Sequence, residues 1–175
     1  IMFACKIWGL RSTDIMQGVV YGTRTEDMTD DRLLTRFDFD AVWGTSLNRF
    51  CAQAVVGHPL TPYGKGGQTR GFISLRDSVQ CLTLATENSP ERGEYQVANQ
   101  FDECYSVLEL AERVQRVGKR LGLYVEIAHA PNPRIEAEKH YYNPDHRLLY
   151  DLGFRPTHEL EEELGVILED LQKFK

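Results

Sequence analysis

Residues 63–75 read Tyr-Gly-Lys-Gly-Gly-Gln-Thr-Arg-Gly-Phe-Ile-Ser-Leu, a glycine-rich loop that runs directly into a short apolar segment. The apolar residues 72–75 predict a strand, and Asp77 is a candidate N-cap for the helix that follows. The inward face of that helix would carry Val79, Leu82 and Ala85. A strand followed at once by a helix is the repeating unit of α/β folds. This stretch therefore predicts the α/β class.

The same alternation of elements continues on both sides of this stretch. Residues 2–8 form a nearly all-apolar run, which predicts a strand buried on both faces of a parallel sheet. Residues 18–22, 94–98 and 124–128 predict further short strands. These strands are too few for a complete doubly wound sheet, so a partial sheet is expected.

Helices are predicted between these strands. Residues 46–56 have helical periodicity, and Ser106 and Glu109 have the spacing of a capping box that opens a long helix. Residues 145–152 and 159–174 predict two more helices, while the charged, turn-rich residues 23–40 predict an excursion over the surface. The first helix would bury Leu47, Phe50, Cys51, Ala54 and Val55.

The overall composition limits the class of protein. The chain has 175 residues, with 42% hydrophobic and 26% charged, which is typical of one globular domain. Its formal net charge of −6 argues against nucleic acid or an anionic membrane as the main partner. No apolar run approaches the roughly 20 residues that span a bilayer.

The cysteines predict neither a disulfide framework nor a zinc site. Cys5, Cys51, Cys81 and Cys104 are widely spaced and form no Cys-x-x-Cys pair. Each lies in an apolar stretch, so all four are expected to be buried free thiols in a reducing compartment. The histidines also lack metal-ligand spacing, and no metal site is predicted.

Two segments are candidate anion sites. In the glycine-rich loop, Lys65, Gln68 and Arg70 supply hydrogen-bond donors beside a flexible backbone, but an ordinary hairpin-like loop is an equally good interpretation. The stiff run 131–133 would present the guanidinium of Arg134, which suits bidentate contact with phosphate or carboxylate. The alternative for Arg134 is a salt bridge to a nearby glutamate.

Several runs together resemble a known enzyme family. Residues 11–22, Arg-Ser-Thr-Asp-Ile-Met-Gln-Gly-Val-Val-Tyr-Gly, resemble the segment after the catalytic Tyr-x-x-x-Lys of extended short-chain dehydrogenase/reductases, in the NAD-dependent epimerase/dehydratase superfamily. Residues 39–50 and 57–71 are similar to the narrower UDP-sulfoquinovose synthase branch of sulfolipid biosynthesis, and residues 132–143 continue the match. Gly-Lys-Gly-Gly-Gln-Thr-Arg-Gly at 64–71 is the most specific part.

The resemblance implies a fold and a division of the molecule. Residues 1–175 would be the C-terminal nucleotide-sugar-binding portion of an extended short-chain dehydrogenase/reductase, a partial Rossmann sheet with a small substrate-binding subdomain. The family's Gly-x-x-Gly-x-x-Gly turn and Tyr-x-x-x-Lys pair do not occur in the chain. The NAD-binding N-terminal half is therefore expected to be absent, no catalytic residue is assigned, and NAD is expected in the full-length family rather than bound by this chain alone.

The resemblance also implies roles for individual residues in binding UDP-glucose or a related UDP-sugar. The diphosphate would be held by Arg70 and Arg134, and the uracil would stack near Tyr63. The remaining implied contacts are those of Thr45 with uridine, Gln17 with the sugar, Gln68 and Thr69 beside the phosphate arginine, and the Val20 backbone beside the nicotinamide. Met16 departs from the family pattern, in which a polar residue such as Asn is expected.

The family reaction, as the resemblance implies it, oxidises UDP-glucose at C4 with NAD, eliminates water across C5 and C6, adds sulfite and reduces the ring again. This chain would supply only binding and orientation, with little or no turnover. The alternative is a non-catalytic nucleotide-sugar-binding or oligomerising module. A homo-oligomer or a pairing with the missing N-terminal half is expected, with no nucleic acid or membrane, in the cytoplasm or the plastid stroma.

Overall fold

Two small sheets form the centre of the computed structural model, which describes residues 1–40, 42–133 and 142–175. Their strands are β1 (Ser12–Gln17), β2 (Val19–Tyr21), β3 (Thr69–Ser74), β4 (Tyr95–Gln100) and β5 (Glu103–Ser106). β1 pairs in parallel with β4, so both strands have their carboxyl ends at the same edge. In the other sheet, β3 lies between β2, to which it is parallel, and β5, to which it is antiparallel.

Helices flank the two sheets. They are α1 (Met2–Trp8), α2 (Ser46–Val56), α3 (Leu75–Glu87), α4 (Val107–Arg120), α5 (Arg147–Asp151) and α6 (Leu160–Gln172), with one 3₁₀ turn at Asp31–Leu33. None of the helices in the described ranges is long and apolar enough to cross a membrane.

The apolar residues bury into two clusters. The larger cluster joins α2, α4 and α6 to the sheet of β2, β3 and β5, and includes Phe50, Val114 and Leu164. The smaller cluster lies between α3, α5 and the β1–β4 sheet, around Cys81 and Phe154. This arrangement confirms the predicted α/β class with a small, partly parallel sheet.

Local signals placed two helices correctly. α2 spans the predicted residues, and its five predicted inward side chains are all buried. Thr45 caps it by accepting a hydrogen bond from the Asn48 N–H. In α4, Ser106 and Glu109 form the predicted capping box, in which each side chain accepts from the other residue's backbone N–H. Both helices begin where their first unpaired N–H groups find an acceptor.

The prediction of a buried strand at residues 2–8 is wrong, because these residues form α1. Its last residue is followed by Gly9, whose φ of 64° is the left-handed conformation that ends a helix. Only Cys5 is buried, while Phe3 and Trp8 are 74% and 70% exposed. A continuous apolar run cannot by itself distinguish a buried strand from a helix.

The predicted cap of α3 is also wrong, as are two of its three predicted inward residues, while the third, Ala85, is buried as predicted. Ser74, not Asp77, caps the helix by accepting from the Asp77 N–H. Val79 and Leu82 are 46% and 43% exposed. The buried face is partly polar because the Asp77 carboxylate accepts hydrogen bonds from Thr157, a partner distant in sequence.

Three smaller predictions need correction. Residues 124–128 form one isolated bridge, from Ile127 to Leu60, rather than a strand, and Pro62 lacks the N–H that would continue the ladder toward the next bridge at Tyr63. The last helix, predicted to extend to residue 174, ends at Gln172, and Phe174 just beyond it is 69% exposed. Cys104 is exposed on β5, whereas Cys5, Cys51 and Cys81 are buried as predicted, and all four are free thiols.

Candidate functional site

Strand alternation on β3 divides its residues between two environments. Residues two apart in a strand point to the same face, and Gln68, Arg70 and Phe72 line one cavity. Ile73 points the opposite way, into the smaller apolar cluster. A Cβ added to Gly71 would lie 2.6 Å from the Phe101 ring, so only glycine fits on that face. β3 therefore presents Arg70 on the cavity side of the sheet.

The cavity has a volume of about 290 Å³ and is lined by both polar and apolar side chains. Its floor is the sheet of β2, β3 and β5, and its wall is the start of α2 with the loop before it. The lining residues are Val19, Asp40, Gly44, Thr45, Ser46, Arg49, Tyr63, Gln68, Arg70, Phe72, Tyr105, Val107, Leu110 and Pro133.

The N-terminus of α2 opens onto this cavity. Gly44, Thr45 and Ser46 all line it, so the unpaired N–H groups and the positive end of the helix dipole are close to any ligand. The approach to the helix is tight at Gly44, where an added Cβ would lie 2.4 Å from the Phe39 carbonyl carbon. Together with the nearby arginines, this end of the helix favours an anion.

Arg49 and Tyr63 form a stacked pair at the cavity wall. The Arg49 guanidinium carbon lies 4.2 Å from the centroid of the Tyr63 ring, within the range of a cation–π contact. Arg49 also donates a hydrogen bond of 3.1 Å to the Thr61 carbonyl oxygen. These contacts fix α2 to the segment that carries Tyr63.

That segment is held from its other side by backbone bridges. Leu60 bridges to Ile127, and Tyr63 bridges to Ala130. The following turn needs glycine at Gly66, which has a φ of 71° and would place a Cβ 3.1 Å from the Leu108 backbone nitrogen. The glycine-rich loop is thus packed against the start of α4.

The electrostatics of the cavity suit binding rather than proton transfer. Backbone N–H groups of Trp43 and Val42 donate to Asp40 and lower the pKa of its carboxyl, which keeps it ionised. Burial, followed by a hydrogen bond with Glu103, raises the pKa of the Tyr105 phenol. Neither group is therefore poised to exchange a proton near neutral pH. The described lining residues carry two guanidiniums against one carboxylate.

The structure brings together four of the residues that the sequence predicted to bind a nucleotide sugar. Thr45, Tyr63, Gln68 and Arg70 line the same cavity although Thr45 is distant in sequence from the loop that carries the other three. Arg134 lies outside the described residues, but the neighbouring Pro133 lines the cavity.

Three predicted residues lie elsewhere. Thr69 belongs to the opposite face of β3 from Arg70 by strand alternation. Val20 packs against the smaller apolar cluster, so only its backbone could reach a ligand. Gln17 ends β1 and donates to Gln100 at 2.9 Å, outside the set of cavity-lining residues.

Sequence reasoning missed Arg49 as a site residue. It lies in the predicted helix 46–56, directly before the buried Phe50, and helical periodicity alone does not show what a polar position faces. The signal that could have identified it is its place in the first turn after Thr45. An arginine there is unfavourable for the helix dipole and needs an anionic or aromatic partner.

The described residues do not form a site for a dinucleotide. Such a site needs a glycine-rich turn between a strand and a helix N-terminus. The two direct strand-to-helix junctions in the described ranges are β3–α3 and β5–α4, and both are capped by serine. Each also carries an acidic residue in the first helical turn, Asp77 or Glu109, where a pyrophosphate would be repelled. These two junctions therefore do not fit the pyrophosphate of NAD.

Comparison with known proteins gives strong sequence matches. The chain is 58% identical over 170 residues to UDP-sulfoquinovose synthase of Sulfolobus acidocaldarius, covering 97% of this chain and 43% of that protein. It is 57% identical over 165 residues to the chloroplastic UDP-sulfoquinovose synthase of Spinacia oleracea, covering 94% of this chain and 34% of that protein. The chain thus spans less than half the length of the relatives it matches. No family model matches it.

The fold is shared with solved structures of lower sequence identity. UDP-glucose 4-epimerase of Thermotoga maritima, solved with UDP-glucose, superposes with a TM-score of 0.74 at 21% identity, covering 98% of this chain and 49% of that one. This similarity shows a common fold, the C-terminal part of the extended short-chain dehydrogenase/reductases. Fold and sequence agree: the chain is similar in sequence to the UDP-sulfoquinovose synthases over less than half of their length, and it shares its fold with the C-terminal part of extended short-chain dehydrogenase/reductases.

Proposed function

We propose that this chain is the UDP-sugar-binding part of a UDP-sulfoquinovose synthase-like enzyme. In the proposal, the complete enzyme uses NAD to convert UDP-glucose and sulfite to UDP-sulfoquinovose, in the cytoplasm or the plastid stroma. The observation that carries the proposal is the cavity at the start of α2, where Arg70, Arg49 and the helix N-terminus face the same space as Tyr63.

Each part of the cavity matches one part of a UDP-sugar. Two guanidiniums and a helix N-terminus suit a diphosphate, because both supply N–H donors and positive charge. Tyr63 offers a ring for a planar base, already stacked with Arg49. In the proposal, Arg134 adds a second diphosphate contact, Thr45 contacts the uridine, and Gln68 and Thr69 support the phosphate arginine.

Calorimetric titration of the chain with UDP tests this proposal. We expect the unaltered chain to bind UDP and Arg70→Ala to bind it at least about tenfold more weakly, because a charge-assisted hydrogen bond contributes about 1.5–3 kcal/mol. Arg120→Ala is the matched control, since Arg120 is exposed at the far end of α4 and pairs with Glu161. Equal affinity for all three proteins would contradict the proposed site.

The proposal assigns binding and orientation to this chain, not turnover. The Tyr-x-x-x-Lys pair is absent from the sequence, and the two described strand-to-helix junctions do not fit the pyrophosphate of NAD. The alternative is a non-catalytic binding or oligomerising module derived from the same family. Conversion of UDP-glucose and sulfite by the 175-residue chain with added NAD would contradict the assignment of binding alone.

The proposal also includes a partner polypeptide, either a second copy or a separate N-terminal half. Ile1, Phe3, Ile7 and Trp8 on and beside α1 are each more than half exposed. Apolar side chains grouped in this way usually mark an interface. We expect light scattering to show a mass above the 20.1 kDa of one chain, unless an N-terminal half is added and replaces the second copy. A monodisperse monomer that binds no such half would contradict this part.

A further inference from the structure

A chain of hydrogen-bonded side chains joins the carboxyl ends of β1 and β4. Gln17 is the last residue of β1, and it lies opposite Gln100, the last residue of β4. The Gln100 side chain is fully buried and contacts Ser78 of α3. Gln17 is exposed on its other side. One buried amide thus supports one exposed amide at the edge of the parallel sheet.

The chemistry of the partners determines how both amides point. The Ser78 carbonyl oxygen can only accept, so the Gln100 NH₂ group must face it, at 2.9 Å. The Gln100 Oε1 then faces Gln17, and it also accepts from the Ser78 hydroxyl at 3.3 Å. Because Oε1 is an acceptor, Gln17 must turn its NH₂ group toward it, at 2.9 Å. The Gln17 Oε1 is therefore directed away from Gln100.

The position of Gln17 is one where ligands bind in α/β proteins, outside the carboxyl ends of parallel strands. It is also close to the cavity along the chain. Val19, two residues later, lines the cavity from β2, and two extended residues span at most about 7 Å. A nucleotide sugar with its diphosphate at Arg70 would extend from the cavity toward this edge.

We infer that Gln100 is a positioning residue, which holds Gln17 so that its Oε1 accepts a hydrogen bond from a hydroxyl group of the sugar. This inference rests on the proposed function, because it requires a nucleotide sugar in the cavity. It identifies the ligand group as a hydrogen-bond donor. A carbonyl group at the same place would face the Gln17 oxygen and be rejected.

The test compares the affinities of the chain for UDP and for UDP-glucose. We expect Gln100→Leu and Gln17→Ala each to lower the ratio of UDP-glucose affinity to UDP affinity by about threefold to tenfold, the range of one hydrogen bond. Affinity for UDP alone should stay the same. Because Gln100 acts through Gln17, adding Gln100→Leu to Gln17→Ala should cause no further drop in the ratio.

Two further variants separate this role from a purely structural one. Gln115→Leu removes another side-chain bond to a backbone carbonyl, that of Val125, and should leave the ratio unchanged. Gln17→Glu alters only an exposed position and sets two acceptor oxygens against each other, so it should lower the ratio even if Gln100→Leu does not fold.

The outcomes distinguish this inference from the proposed function. The inference would be overturned if Gln17→Glu left the ratio of UDP-glucose affinity to UDP affinity unchanged. It would also be overturned if Gln100→Leu weakened UDP and UDP-glucose equally. In both cases the unaltered chain would still bind UDP, and the proposed function would stand. Equal affinity of the unaltered chain for the two ligands, with no change in any variant, would also overturn the inference. If the unaltered chain does not bind UDP, the proposed function fails and this inference fails with it.

Discussion

UDP affinity is expected to fall by more than about a hundredfold when Arg49 and Arg70 are both replaced by alanine. Each guanidinium lines the cavity, and each should contribute about 1.5–3 kcal/mol to binding an anion. Loss of both leaves Asp40, which is held ionised by its backbone hydrogen bonds, as the charged group of the described lining. The remaining cavity would then repel a diphosphate.

Single substitutions measure how much each arginine contributes to UDP affinity. Arg49→Lys keeps the positive charge but loses the planar guanidinium that stacks on Tyr63. It should therefore lower the affinity for UDP, but by less than Arg49→Ala does. The control is Arg116→Ala combined with Arg120→Ala, which removes the same charge from exposed positions on α4. Isothermal calorimetry measures the UDP affinity of each variant, and circular dichroism confirms that each variant is folded. An equal loss of affinity in the control would show that total charge, not the cavity, determines binding.

Leu164→Ala is expected to lower the free energy of unfolding by about 2–5 kcal/mol. Leu164 is fully buried on α6, in the cluster that joins α6 to α2 and α4. Removing its side chain leaves a cavity between three helices that cannot easily close. Since domains of this size are stable by only about 5–15 kcal/mol, this is a large share of the total. Urea denaturation followed by circular dichroism measures the change.

Leu82→Ala is the matched control for that measurement. Both leucines lie within helices, but Leu82 is 43% exposed on α3. Its replacement should lower the free energy of unfolding by less than about 1 kcal/mol, because little buried apolar surface is lost. The comparison also tests whether Leu82 is exposed, as in the structure, or buried, as helical periodicity predicts. Similar losses for the two variants would contradict the position of α3.

Local features of the sequence were sufficient for several elements. The helix at 46–56 was predicted with its bounds and its buried face, because the spacing of its apolar residues is a local feature. The capping box of Ser106 and Glu109 was readable for the same reason. The glycine-rich loop was identified, and Gly66 and Gly71 are positions where a Cβ would meet Leu108 or Phe101.

Other features depend on partners that are distant in sequence. The run at 2–8 satisfies either a strand or a helix, and only its surroundings decide between them. The buried face of α3 carries Asp77, because Thr157 reaches it across the fold. Periodicity of apolar residues cannot show such a face, since the stabilising groups are polar and come from elsewhere in the chain.

In the candidate site, some features follow from the sequence and others depend on the tertiary structure. The sequence by itself determined the α/β class, the similarity to UDP-sulfoquinovose synthases and the presence of Arg70 and Tyr63 in a glycine-rich loop. Only the tertiary structure decided that strand alternation separates Arg70 from Thr69, that Arg49 of α2 stacks on Tyr63, and that Gln100 supports Gln17. The physical reason is that local propensity acts over a few neighbouring residues, whereas a binding site is formed where separate segments pack together.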